Sequence, residues 1–178
     1  RSISPAIELR ICAYYVNETS MIEAFNNGED LHKKTASLVL GKDVNSITKQ
    51  ERQLAKAMNY GLIYGMGGKR FKENAHFMYG VDMTLEEAYE YKEKFYEAYP
   101  QIHSWHRDTG IKLQRGGIKI KTLLGRTIWY GKDDYSNALN SPIQGSGADM
   151  LKLATIALWE KLKNYGARIL TLIHDEII

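Results

Sequence analysis

Residues 52–65 read RQLAKAMNYGLIYG, and in them Arg52, Lys56, Tyr60 and Tyr64 recur at every fourth position. On an α-helix each step of four adds about 40° of rotation and ~6 Å of rise, so the four side chains form a slowly turning stripe about 18 Å long. Two cations one turn apart suit a polyphosphate, the arginine as a planar fork and the lysine as a point charge. An aromatic ring beyond them suits a sugar or a base. The same spacing also describes a solvated basic face with two aromatics turned into a core. Gly61 and Gly65 bear on the choice. A glycine in a helix interior costs up to about 1 kcal/mol relative to alanine, which points to close approach of something to the backbone or to a hinge.

Working outward, Thr48 and Glu51 have the spacing of a capping box, which opens this helix and predicts it over about 49–64. Thr84 and Glu87 repeat the signature for a helix from Leu85 to Tyr99, stopped by Pro100. Further helices are expected from a Ser20 cap to Phe25, from an Asp30 cap through Leu40 to Gly41, and over 101–114 before Gly116 and Gly117. IELRICAYYV at 7–16 is apolar enough for a buried strand or the start of a helix. IKIKTLL at 118–124 alternates, turns at Gly125-Arg126 and returns as TIWY, a hairpin. A long helix over about 143–164 ends at Gly166, and RILTLI at 168–173 reads as a strand. The fold class is α+β, mostly helical.

With 24 Lys+Arg against 21 Asp+Glu and 44% hydrophobic residues, the 178-residue chain has ordinary globular composition, which excludes a disordered tail, a collagen-like repeat or a coiled-coil rod. No apolar run approaches the roughly 20 residues that cross a bilayer, and RSISPAIELR is no signal peptide. The single cysteine, Cys12, has no disulfide or zinc partner, so an intracellular location is expected. The chain has no initiator Met, and nothing reads as a return strand after RILTLI, so an internal piece of a longer protein is expected. His103, His106 and Asp108 have helical spacing that could hold a metal, but a solvated helix face is the simpler account. The tyrosines at 89, 91, 96 and 99 read as packing between helices.

RQLAKAMNYGLIYG closely resembles motif B of the family A DNA polymerases: Arg, three residues, Lys, three residues, Phe or Tyr, Gly, two residues, Tyr-Gly. Other segments agree in order. AIELR at 6–10 resembles the second half of motif A, and GEDLHKKTAS at 28–37 resembles the segment before motif B. SPIQGSGADMLKLA at 141–154 resembles the palm helix, and LIHDEII at 172–178 resembles motif C. The resemblance implies a palm fragment at 1–16, fingers at 17–135 and a second palm fragment at 136–178, with an antiparallel palm sheet carrying motifs A and C. It implies template-directed addition of deoxynucleotides to a primer by two-metal phosphoryl transfer, within a longer parent chain that supplies the missing parts of the polymerase.

By the same resemblance, Arg52 and Lys56 would bind the triphosphate of the incoming deoxynucleoside triphosphate, with Lys56 also donating a proton to the departing pyrophosphate. Tyr60 would lie against the sugar, where its hydroxyl can stand in for a missing 3′-OH, so ready use of dideoxynucleotides is expected. Tyr64 would cap the nascent base pair, and Glu8 would exclude a ribose 2′-OH. Gln144 and Asn140 would contact the minor groove and primer–template DNA, Arg126 its backbone and His174 the primer terminus. Asp175, with Glu176 in support, would be the catalytic carboxylate and would ligate magnesium, as would the backbone carbonyl of Ser4. Two Mg2+ ions are the expected cofactors. Family motif A begins with an aspartate where this chain has Ile3, and Ser136 stands near a usual arginine. The intact stripe favours reading residues 1–6 as an imperfect end. A non-catalytic primer–template or nucleotide-binding relative is the alternative, and a single-subunit RNA polymerase is the rival enzyme, against which Glu8 speaks.

Overall fold

The computed structural model describes residues 6–173 and 176–178. The chain begins with α1 (Ile7–Val16), α2 (Thr19–Asn26), α3 (Leu31–Leu40) and α4 (Lys49–Leu62), and continues with α5 (Gly68–Tyr79), α6 (Leu85–Ala98) and α7 (Pro100–Gln114). A hairpin of β1 (Ile118–Lys121) and β2 (Thr127–Tyr130) follows, then α8 (Tyr135–Leu162) and the short pair β3 (Leu172–Ile173) and β4 (Glu176–Ile177). The α+β, mostly helical class therefore holds.

The segment at 7–16, open between strand and helix in the sequence, is helical because it is closed by Asn17 in the left-handed region (φ 56°), whose N–H donates to Ala13 and Tyr14. Both capping boxes form: Glu51 N–H donates to the Thr48 hydroxyl and Thr48 N–H to the Glu51 carboxylate, with the same exchange between Thr84 and Glu87. Asp30 caps α3 by accepting the N–H groups of His32 and Lys33.

Several elements differ from expectation. Helix α2 is preceded by Glu18 rather than capped by Ser20; the buried Glu18 carboxylate instead accepts the Gln101 N–H at the start of α7, 2.9 Å away. Helix α5 has no counterpart in the sequence reading, although Phe71 and Ala75 repeat at four and Gly80 closes it at φ 65°. Pro100 is the first residue of α7 as well as the stop of α6, a position where its missing N–H has no helical partner to lose. Helix α8 starts eight residues before Ile143 and carries Pro142 inside it. RILTLI forms only the two-residue β3, and it does meet a return strand, Leu172 opposite Ile177.

The main core gathers Leu9, Met21, Met58, Leu62, Phe71, Phe95, Tyr99 and Ile102 from α1 to α7 and closes on Ile143 of α8. A smaller cluster of Leu113, Ile120 and Ala138 fastens the hairpin, paired Ile118 to Tyr130, onto α7 and α8. Burial of Tyr96 and Tyr99 confirms the packing role of that tyrosine run, while Tyr89 lies half-exposed across Gly68. His106 is buried, not solvated: Nε2 meets the Ile63 carbonyl at 2.9 Å and Nδ1 the Tyr96 hydroxyl at 3.1 Å. Leu153, Ile156 and Trp159, on the far half of α8, are exposed and take no part in either cluster.

Candidate functional site

Helix α4 presents Arg52, Lys56 and Tyr60 in the stripe expected of it, but the helix ends at Leu62, so Tyr64 falls in the following turn. Gly65 makes that turn: its φ is +72°, and a β-carbon there would sit 2.6 Å from Leu139 and 2.8 Å from Tyr135 of α8. Gly65 is therefore not a helix-interior glycine, and the close approach inferred from it comes from α8. Gly61 is within the helix, tight against Met66.

The turn carries Tyr64 across to two other elements. Its hydroxyl donates to the Glu8 carboxylate of α1 at 2.7 Å, and the Gln144 side chain of α8 also reaches that hydroxyl. Burial first, and the hydrogen bond to Glu8 second, push the Tyr64 hydroxyl pKa far above the ordinary tyrosine range, so it is a permanent donor at neutral pH. Asn140 donates to Gln144 Oε1 at 3.3 Å, and its own Oδ1 is buried with no hydrogen-bond partner among the described residues. Glu8, Tyr64, Gln144 and Asn140 thus form one connected group. A cavity of about 250 Å³ adjoins it, lined by Tyr64, Met66, Arg70, Ser136, Asn137 and Asn140.

At the other end of α4, Arg52 Nε pairs with Asp30 Oδ2 at 2.7 Å. Burial raises the Asp30 pKa, but the Arg52 and Lys33 hydrogen bonds outweigh it and hold the carboxyl below its usual value. His32, absent from the sequence reading, lies 5.8 Å from the Tyr60 ring, within reach of the Arg52 and Lys56 charges. Burial, then the Arg52 charge, lower its pKa to about 4, so the ring is neutral at pH 7. Its Nδ1 meets Asn59 Nδ2 at 2.9 Å, which makes Nδ1 the acceptor and leaves the proton on Nε2. The signal for His32 was its place two residues after the Asp30 cap, on the helix that packs along α4.

Arg126 is tied to α8, with Nε on Asp149 Oδ1 at 3.1 Å and Nη2 on the Gly145 carbonyl at 3.0 Å. Thr122 donates to the other Asp149 oxygen at 2.8 Å. His174, Asp175, Ile3 and Ser4 lie outside the described residues, as does the Glu176 side chain. Among the described residues no three His, Cys, Asp or Glu gather as a metal site, so the triad His103, His106 and Asp108 is not one. Glu8, the carboxylate that Tyr64 meets, already accepts that hydroxyl.

The protein-family model described as "DNA polymerase family A" matches residues 5–178. The chain is 46% identical over 175 residues to DNA polymerase I of Aquifex aeolicus, covering 97% of this chain and 30% of that protein. It is 32% identical over 183 residues to the thermostable DNA polymerase I of Thermus aquaticus, covering 97% of this chain and 21% of that one. Among solved structures, the POL domain of Pol1 from M. smegmatis, in complex with DNA primer-template and dNTP, superposes with a TM-score of 0.82 at 32% identity. That match covers 97% of this chain and 31% of the other. The chain thus spans less than a third of the length of these relatives, and it belongs to DNA polymerase family A.

Proposed function

We propose that this chain is the nucleotide-selecting part of an enzyme that copies a DNA template by adding deoxynucleotides to a primer 3′-OH. The observation that carries this reading is the convergence on α4 of two cations, Arg52 and Lys56, with an aromatic end whose Tyr64 hydroxyl donates to Glu8. The solved relative's complex with primer-template and dNTP supports the same partners here.

Arg52 supplies a planar fork to phosphate oxygens once it exchanges Asp30 for the nucleotide, and Lys56 supplies a point charge and a proton for the departing pyrophosphate. Tyr60 sits against the sugar. Glu8, held in place by the Tyr64 hydroxyl, leaves no room for a ribose 2′-OH. Asn140 and Gln144 read pairing geometry in the minor groove; the buried, unpartnered Asn140 oxygen is the kind of group that a bound strand satisfies. Arg126 keeps free N–H groups for a DNA phosphate while Asp149 orients it. Bound magnesium would supply charge neutralisation of the triphosphate, with the Asp175 side chain and the Ser4 carbonyl as its candidate ligands. The palm and fingers assignments of 1–16, 17–135 and 136–178 follow from this reading.

The test is primer extension by the full-length polymerase. Wild-type protein should extend a primer on a DNA template with deoxynucleotides, and Lys56→Ala should reduce kcat/KM by at least about 100-fold, the scale of a lost charged transition-state contact. Ile3 favours a second reading, a relative that binds primer–template and nucleotide without chemistry. Nucleotide-dependent binding with no extension would select it. Preference for ribonucleotides would select an RNA polymerase instead.

A further inference from the structure

We propose that Tyr79, the last residue of α5, is a positioning residue for Lys56, holding its ammonium ready for the triphosphate; the proposal rests on the nucleotide-binding reading of α4. The Lys56 Nζ lies over the Tyr79 ring, 5.9 Å from its centroid, within the range of a cation–π contact. The two cations of the stripe are held in different ways. Arg52 is paired with Asp30 at 2.7 Å, whereas among the described residues Lys56 has no acidic partner. A carboxylate partner has to be displaced before a phosphate can take the charge. An aromatic face restrains the ammonium without neutralising it or saturating its three donors. Lys56 can therefore turn to a phosphate without breaking an ion pair.

The position of Tyr79 is well determined by its surroundings. It is half-buried and packs on the main core, as Tyr60 and Tyr64 do. Gly80 closes α5 immediately after it, in the left-handed region with its N–H on the Ala75 and His76 carbonyls, so the ring sits on a finished helix end. Burial and the nearby Glu8 charge both raise the Tyr79 hydroxyl pKa, which keeps the ring neutral. Phe77 and Met78, its immediate neighbours, are exposed, so Tyr79 alone of the three turns toward α4.

The experiment measures the dissociation constant of the complementary deoxynucleotide for the full-length polymerase on a primer–template whose primer ends in a dideoxynucleotide. Tyr79→Leu should weaken binding roughly two- to fivefold, the factor such a contact carries, while Tyr79→Phe and Tyr79→Trp, which keep the face, should bind as wild type does. Tyr79→Gln serves as a second ringless variant if leucine disturbs folding. In a Lys56→Ala background, Tyr79→Leu should cause no further loss, because Tyr79 acts through Lys56. Equal losses in both backgrounds, or no loss from Tyr79→Leu where Lys56→Ala does weaken binding, would overturn the proposal. If Lys56→Ala itself leaves binding unchanged, the nucleotide-binding reading of α4 fails and takes the role of Tyr79 with it, a pattern distinct from failure of the Tyr79 contact alone.

Discussion

The Tyr64 hydroxyl donates to a carboxylate 56 positions earlier in the chain, so this one contact joins the turn after α4 to α1. Hydrogen bonds to charged groups are worth more than neutral ones, but Glu8 can rehydrate in part when its donor is removed. Tyr64→Phe should therefore cost about 1 kcal/mol of stability, measured by denaturant unfolding. It should also loosen Glu8, so ribonucleotide incorporation should rise; an unchanged ribonucleotide-to-deoxynucleotide ratio would show that Glu8 is positioned by something else. At Tyr60 the hydroxyl has no such partner among the described residues, and it remains available to a bound sugar. Dideoxynucleotides should be used readily, and Tyr60→Phe should reduce their use relative to normal substrates by roughly tenfold, about the worth of one hydrogen bond. Strong rejection of dideoxynucleotides by both forms would sink that expectation.

At the scale of elements, the two capping boxes and the Asp30 cap were legible in sequence because each is a contact between residues two or three apart. Helix α5 and the first two turns of α8 were not. Gly68 and Pro142 are breakers by local preference, and packing overrides them: the Tyr89 ring lies where a Gly68 side chain would be, and Ala138, Leu139 and Ile143 bury the Pro142 segment. The Gly65 turn carries the sharpest element-level prediction. Gly65→Ala adds a β-carbon at φ +72° against Leu139 and Tyr135, so it should destabilise by about 2 kcal/mol or more and reduce nucleotide binding by displacing Tyr64. Thr48→Ala, which removes only the cap of the same helix, should cost about 1 kcal/mol.

Across the whole molecule, two buried histidines set a pH dependence. Burial lowers both His32 and His106 to about 4, below the ordinary value of 6.5, so the unfolded chain binds protons that the folded chain refuses. Their contribution is full above pH 6.5 and is lost as pH falls toward 4. Unfolding midpoints should accordingly drop between pH 6.5 and 5, before most carboxylates titrate, and His106→Gln should flatten that slope. The two ends of α8 differ in the same physical sense. Leu139 is fully buried and Leu139→Ala should cost about 2–5 kcal/mol, whereas Ile156→Lys on the exposed half should change the stability of the residue 7–143 core by less than about 0.5 kcal/mol.

From sequence alone came the family, the mostly helical class, the capped helices and the stripe of Arg52, Lys56 and Tyr60, because motif and helix periodicity are short-range patterns. Tertiary structure alone decided that Tyr64 leaves the helix for Glu8 and Gln144, that His32 lies by the Tyr60 ring, that His106 is buried, and that Tyr79 lies under Lys56. Each of those contacts joins residues far apart along the chain, and which partner a side chain meets there depends on how whole helices pack, a quantity that no local pattern encodes.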